Sequence, residues 1–143
     1  MGLAYAMGAA LAAPLADDRA FLNIKNNCPQ TVYIVYSNEQ YKSASATLSS
    51  GKGLGIILSG LGYSVGLSKD PNFYSTSVPK LILGYSVNSD QDLIYYSLAP
   101  DFGNPLQGQS VSIAGDGCPS VNSADGKTYA CAVTRALTYT LCG

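Results

Sequence analysis

From residue 21 onward the chain reads as short strands separated by turns, and several of the strands show the period-two alternation of half-buried sheet. In Phe21-Leu22-Asn23-Ile24-Lys25-Asn26, Leu22 and Ile24 share one face and have polar neighbours. Residues 30–37 (QTVYIVYS) give the clearest strand, rich in β-branched and aromatic side chains. Shorter apolar candidates follow at 43–48, 54–58 and 63–67. Residues 80–87 (KLILGYSV) and 92–98 (DLIYYSL) form a hairpin across Asn88-Ser89-Asp90-Gln91. Residues 106–114 alternate again, with Val111 and Ile113 facing one way and Ser110 and Ser112 the other. Strands at 129–133 and 137–141 close the chain. Between these runs lie turn residues: Asn26 to Pro29, the glycine-rich stretch 51–62, a loop at 69–79, the PDFGNP turn at 100–105 and a polar loop at 115–126. After residue 20 no segment keeps a 3.6-residue apolar period over three turns. The pattern therefore predicts an all-β domain over residues 20–143, a sandwich or barrel.

The first residues break the pattern. Residues 1–16 are small and apolar, and Ala10-Leu11-Ala12 matches an A-x-A cleavage site, so residues 1–19 read as a signal peptide and short leader. No lysine or arginine precedes the apolar run, a departure from the usual basic start. The run is shorter than the ~20 apolar residues of a spanning helix, so no membrane span is expected.

Composition narrows the partners. Net charge is −1 and basic residues occur singly, which argues against nucleic acid. Charged residues are only 12% of the chain, so Ser, Thr, Asn, Gln, Gly and Tyr must supply most of its polar surface. The 11 tyrosines are a surplus, and an aromatic face with a hydroxyl suits glycan or protein recognition. Tyr33, Tyr36, Tyr95 and Tyr96 are the candidate ligand-binding residues. Tyr33 and Val35 share one strand face, Val32, Ile34 and Tyr36 the other, and Tyr95 and Tyr96 point to opposite sides. The plainer reading makes them ordinary half-buried sheet residues.

The chain has no histidine, which excludes a Ser–His–Asp or Cys–His site and the commonest metal ligand. No metal site or cofactor is expected. Of the carboxylates, Glu39, Asp90, Asp92, Asp116 and Asp125 fall in loops and turns, and Asp101 is the one weak catalytic candidate. Asp101 is expected to accept hydrogen bonds from turn amides. Four cysteines behind an export signal indicate two disulfides in an oxidising compartment, with three pairings open. Joining Cys28 to Cys142 would tie the chain ends together and leave Cys118 and Cys131 to close a short loop.

Residues 21–35 (FLNIKNNCPQTVYIV) resemble the opening of thaumatin-like proteins, and residues 95–106 (YYSLAPDFGNPL) their central Asp-Gly-Phe-Asn-x-Pro turn with Phe and Gly exchanged. Residues 137–142 (LTYTLC) resemble the family's closing strand. The order of Leu83-Gly84-Tyr85-Ser86, Tyr95-Tyr96-Ser97-Leu98, Asp101-Phe102-Gly103 and Cys118-Pro119 is similar to the short fungal branch, the yeast-phase-specific or antigenic thaumatin-like proteins. The resemblance implies a thaumatin-like β-sandwich with its first cysteine bonded to its last. Some family members bind or hydrolyse β-1,3-glucan through a cleft with an arginine, a glutamate and several aspartates. Those positions fall here near residues 63–69, at Gly84 and at Tyr96, and only Asp101 keeps an acidic side chain. Together with export, two disulfides, low charge and excess tyrosine, this predicts a secreted, monomeric, non-enzymatic protein with a binding, surface-antigen or effector role. It would lie outside the cell or at the cell wall, with wall polysaccharide or a host protein as partner. The alternative is weak binding or hydrolysis of β-1,3-glucan through an acidic groove containing Asp101.

Overall fold

The structure, a computed structural model, describes residues 20–37, 43–58, 62–88, 90–132 and 136–143. The expected signal segment at 1–19 and Glu39 lie outside the described residues. Eleven strands form among those described: β1 Ala20–Asn26, β2 Val32–Ser37, β3 Ser43–Leu48, β4 Gly53–Leu58, β5 Tyr63–Ser68, β6 Lys80–Asn88, β7 Leu93–Asp101, β8 Val111–Gly115, β9 Cys118–Val121, β10 Thr128–Ala132 and β11 Ala136–Leu141. They make two sheets, one of five strands ordered β9-β8-β11-β1-β4 and one of six ordered β10-β7-β6-β5-β2-β3. Pairing is antiparallel except between β1 and β11, which run parallel from Phe21↔Ala136 to Asn26↔Leu141.

The alternation explains the core. Leu22 and Ile24 of β1, Ile113 of β8 and Leu137, Tyr139 and Leu141 of β11 face inward from the five-stranded sheet, all at or below 1% exposure. Val32 and Ile34, Val65 and Leu67, Leu81 and Leu83, and Ile94 and Leu98 face them from the other sheet. Each such side chain contributes about 1.5–3 kcal/mol by leaving water, so the interior of the sandwich is the main source of stability.

Two covalent ties lie at different places. Cys28 and Cys142 are bonded, with Cα atoms 4.9 Å apart, just beyond the paired C-terminal ends of β1 and β11. Beside them Asn26 is fully buried. Its Nδ2 donates to the Gln30 and Leu48 carbonyls, both at 2.9 Å, and its Oδ1 accepts from the Cys28 amide at 2.9 Å. Cys118 and Cys131 are bonded with Cα atoms 5.0 Å apart, joining β9 of one sheet to β10 of the other.

The segments differ from the sequence expectation in four places. The expected polar loop at 115–126 contains β9, a four-residue strand with Pro119 and a pairing irregularity against β8. So short a strand with a proline carries no periodic signal, and proline is tolerated there because β9 is a sheet edge. β2 begins at Val32 and not 30, because the Asn26 side chain holds Gln30 in the preceding turn. Residues 106–109 are turn, closed by Gln107 N–H to Asn104 O at 3.2 Å and Gln109 N–H to Leu106 O at 2.9 Å. β7 runs on through Pro100 and Asp101, paired with Leu81 and Lys80.

Candidate functional site

The loop at 69–79 crosses the outer face of the six-stranded sheet. Local hydrogen bonds shape it: Asn72 N–H to Asp70 Oδ1 at 2.8 Å, Ser75 N–H to Asn72 O at 3.0 Å and Val78 N–H to Ser75 O at 3.1 Å. These are the turn motifs expected of Asp, Asn and Ser beside proline. The loop lays the Phe73 ring on Gly66 of β5. A Cβ at that glycine would come within 2.1 Å of the ring, so only glycine permits the approach. Tyr74 meets Phe73 edge-on at 5.2 Å and is 72% exposed.

Lys80, the first residue of β6, organises this region. Its ammonium is buried and donates to the Ser75 carbonyl at 2.8 Å and the Val78 carbonyl at 3.1 Å. Two rings cover it, Phe73 at 5.4 Å and Phe102 at 4.8 Å from their centroids. A cation between aromatic faces is held by their quadrupoles, about 0.5–2 kcal/mol for each ring depending on desolvation. Phe102 is 56% exposed and adopts a φ of 56°, a left-handed conformation that costs a non-glycine residue about 1–2 kcal/mol. Gly103 follows at φ 105°. The attraction to Lys80 offsets part of that strain. The outcome is a surface platform of Phe73, Tyr74 and Phe102 on a buried cation.

Two shallow grooves flank the platform on the same sheet face. One, about 290 Å³, runs between Tyr33 of β2, Thr47 of β3 and Pro71 and Phe73 of the loop. The other, about 300 Å³, has Gly84 as its floor, with Ser86, Ser97, Thr128 and Tyr95 around it. Tyr33 and Tyr95 thus both border outer-face grooves. Tyr95 is half-buried and donates to Gln91 Oε1 at 2.7 Å.

The other two candidate tyrosines point inward. Tyr96 is 1% exposed and donates to the Pro119 carbonyl at 2.6 Å, so its ring belongs to the core. Burial raises its pKa. Tyr36 is half-buried on the inner face and accepts a hydrogen bond from the Tyr85 hydroxyl at 2.8 Å. Burial raises both of these phenols. Tyr96 sits in a row of inward tyrosines that crosses four adjacent strands in one register, Tyr63↔Tyr85↔Tyr96↔Tyr129.

Asp101 stands exposed at the end of β7, opposite Lys80 in the ladder. The expected bonds to turn amides are absent: among the described residues its carboxylate has no hydrogen-bond partner. The capping role in the PDFGNP turn falls to Asn104, whose Oδ1 accepts from the Leu106 amide at 2.8 Å. The ammonium of Lys80 is directed to carbonyls and rings. No group of three or more acidic or cysteine side chains able to hold a metal ion occurs among the described residues. Aromatic contact and hydrogen bonding to a partner are the interactions this surface offers.

Sequence reasoning missed Phe73, Tyr74, Lys80 and Phe102. The available signal was a pair of adjacent aromatics inside a loop rich in Pro, Asn and Ser, where neither propensity nor burial calls for them.

Two facing sheets with a bond between the first and last cysteines define a thaumatin-like β-sandwich. The structure superposes on the thaumatin-like xylanase inhibitor TLXI with a TM-score of 0.58 at 10% identity, covering 85% of this chain and 99% of that one. Within that class the chain belongs to the Blastomyces yeast-phase-specific protein family, Bys1, whose model matches residues 9–143. The structure is also similar to the protein elicitor MoHrip2 from Magnaporthe oryzae, with a TM-score of 0.74 and 28% identity over 87% of this chain and 99% of that one. No curated protein sequence matches the chain. No helix among the described residues is long and apolar enough to cross a membrane.

Proposed function

We propose that the protein is a secreted, non-enzymatic recognition protein that acts as an effector at a host interface, binding through the Phe73–Tyr74–Phe102 platform. The observation that carries this reading is the similarity to a protein elicitor over nearly the whole of both chains. The platform supplies the physics. Exposed aromatic groups beside polar side chains are what interface anchors are made of. Here Phe73 and Phe102 are held in place by a buried cation and Tyr74 packs edge-on against Phe73, so little ordering entropy is lost on binding. The two disulfides fit an oxidising, extracellular setting, and the apolar segment at 1–19 fits export.

The test applies the oxidised protein to host leaf tissue and reads the reactive-oxygen burst. The wild type is expected to trigger it. Tyr74→Ala combined with Phe102→Ala is expected to lose most of the response while keeping both disulfides and a cooperative unfolding transition. Retention of the protein on insoluble glucan, chitin or mannan with no tissue response would overturn the reading in favour of wall binding.

A further inference from the structure

The two disulfides sit in unequal frames. Cys28 is fully buried, its amide donates to Asn26 Oδ1 at 2.9 Å, and its carbonyl accepts from the Ser50 hydroxyl at 2.5 Å. The Cys142 amide donates to the Ser110 carbonyl at 2.7 Å, and the Asn27 amide to the Leu141 carbonyl at 2.9 Å. With the β1–β11 pairing beside them, these bonds hold the two sulfurs together whether or not they are joined.

The second pair is held from one side only. Cys131 is buried in β10 and paired with Ile94. Cys118 is half-buried and begins β9, the outermost strand of its sheet. Its sulfur lies 3.9 Å from the Asp116 carbonyl in an exposed turn. β9 meets β8 at Cys118↔Gly115 and Val121↔Ile113 with an irregularity between, and Val121 is its one buried side chain. The Tyr96 hydroxyl, donating to the Pro119 carbonyl at 2.6 Å, adds a tie to the other sheet. The ease of reducing a disulfide depends on how firmly the fold keeps its two thiols together once the bond is gone, their effective concentration. That concentration is high for Cys28 and Cys142 and low for a pair with one member on a loosely held strand.

We propose that the Cys118–Cys131 bond is a redox-sensitive latch, closed in an oxidising exterior and opened by a dithiol reductant while Cys28–Cys142 stays shut, which sets whether β9 remains on its sheet. One thiolate of the reductant attacks the Cys118 sulfur at the surface and expels the Cys131 thiolate, which takes up a proton. The reductant's second thiolate then attacks its own sulfur in the mixed disulfide and releases the Cys118 thiolate, protonated in turn. The protein gains two electrons and two protons, and the dithiol becomes a disulfide. With β9 released, β8 becomes the sheet edge and presents unpaired backbone groups to another strand, and the buried Tyr96 ring loses cover. The latch does not depend on the recognition role.

The experiment equilibrates the oxidised full-length protein in buffers of reduced and oxidised dithiothreitol, caps free thiols with N-ethylmaleimide and maps them by peptide mass spectrometry. Cys118 and Cys131 are expected to be capped at a reduced-to-oxidised ratio at least about tenfold below that needed for Cys28 and Cys142. The two-thiol form is expected to keep its β-sheet circular dichroism and slow amide exchange in β1 and β11, with fast exchange in β9. Cys118→Ser with Cys131→Ser is expected to reproduce that exchange pattern. Tyr96→Phe, which removes the tie to Pro119, is expected to open the latch at a ratio about fivefold lower. Capping of all four cysteines in one range, capping of Cys28 and Cys142 first, or β9 amides as protected in the two-thiol form as in the oxidised one would each overturn the latch. An unchanged midpoint in Tyr96→Phe would overturn the part given to that hydroxyl.

Discussion

The two long edges of the sandwich are finished in opposite ways. At one, β9 and β10 belong to different sheets and are joined by the Cys118–Cys131 bond and by the Tyr96 hydroxyl on the Pro119 carbonyl at 2.6 Å. At the other, β3 and β4 also belong to different sheets, but the chain itself makes the link through residues 49–52. The difference follows from side chains. In β9, Val121 alone is buried, and Pro119 and Ser120 are exposed, so apolar burial contributes little and a covalent bond holds the edge. β3 and β4 carry Leu48, Leu54 and Ile56, enough apolar surface to pack without a crosslink and to tolerate a gap where alanines stand. An edge poor in apolar surface needs a bond, while a richer one can leave space.

The largest expected effect removes the tie at the ends of β1 and β11, inside the sheet and away from both edges. Replacing Cys28 and Cys142 with alanine opens a closure of sequence separation 114 and should cost about 5 kcal/mol, on the order of the whole stability of a small domain. Denaturant unfolding followed by circular dichroism would show it, and a loss below 1 kcal/mol would mean that packing alone joins the chain ends.

Replacing Cys118 and Cys131 should cost about 3 kcal/mol for a separation of 13. Amide exchange should quicken in β9 and β10 and stay unchanged in β3 and β4. Equal quickening at both edges would erase the contrast.

Alkaline pH acts next, through the buried phenols. Burial raises the pKa values of Tyr36, Tyr85, Tyr96 and Tyr139 in the folded protein. Their contribution is fully present below the unfolded phenol pKa of about 10 and is lost as pH rises from there toward the folded values. Melting temperature should therefore fall above pH ~10. Phenolate absorbance should appear together with unfolding, and Tyr36→Phe with Tyr85→Phe should flatten the decline.

The smallest effect lies at neither edge. Tyr139 is fully buried and, among the described residues, its hydroxyl has no hydrogen-bond partner. Tyr139→Phe should therefore stabilise the protein by about 1 kcal/mol in chemical denaturation, and a loss of stability would point to a partner at that hydroxyl.

Much of this architecture was legible in the period-two pattern. The strands over residues 63–67 and 137–141 stand where their apolar runs placed them, because each carries enough apolar side chains on one face to require burial. Parity also held a finer message. Tyr96 is in step with Ile94 and Leu98, and Tyr36 with Val32 and Ile34, which assigns both to the core side. Tyr33 and Tyr95 are out of step with those residues and border the outer grooves. What could not be read was contact between distant segments. Phe73 and Phe102 converge because a lysine ammonium, buried by a loop, draws both rings. Nothing local to either phenylalanine encodes that. β9 was hidden for a different reason, since Pro119 and a length of four residues leave no period to detect.

The parallel pairing of β1 with β11 has a consequence for biogenesis. In the order β9-β8-β11-β1-β4, the strand translated last among those described is the middle one of its sheet. While the polypeptide is still emerging, β8 and β9 have no route to β1 and β4, and half of the hydrophobic interior has no lid. Contacts spanning so much sequence form slowly. The five-stranded sheet can therefore close only once its last strand is available, and removing residues 136–141 would divide that sheet into two unconnected pairs.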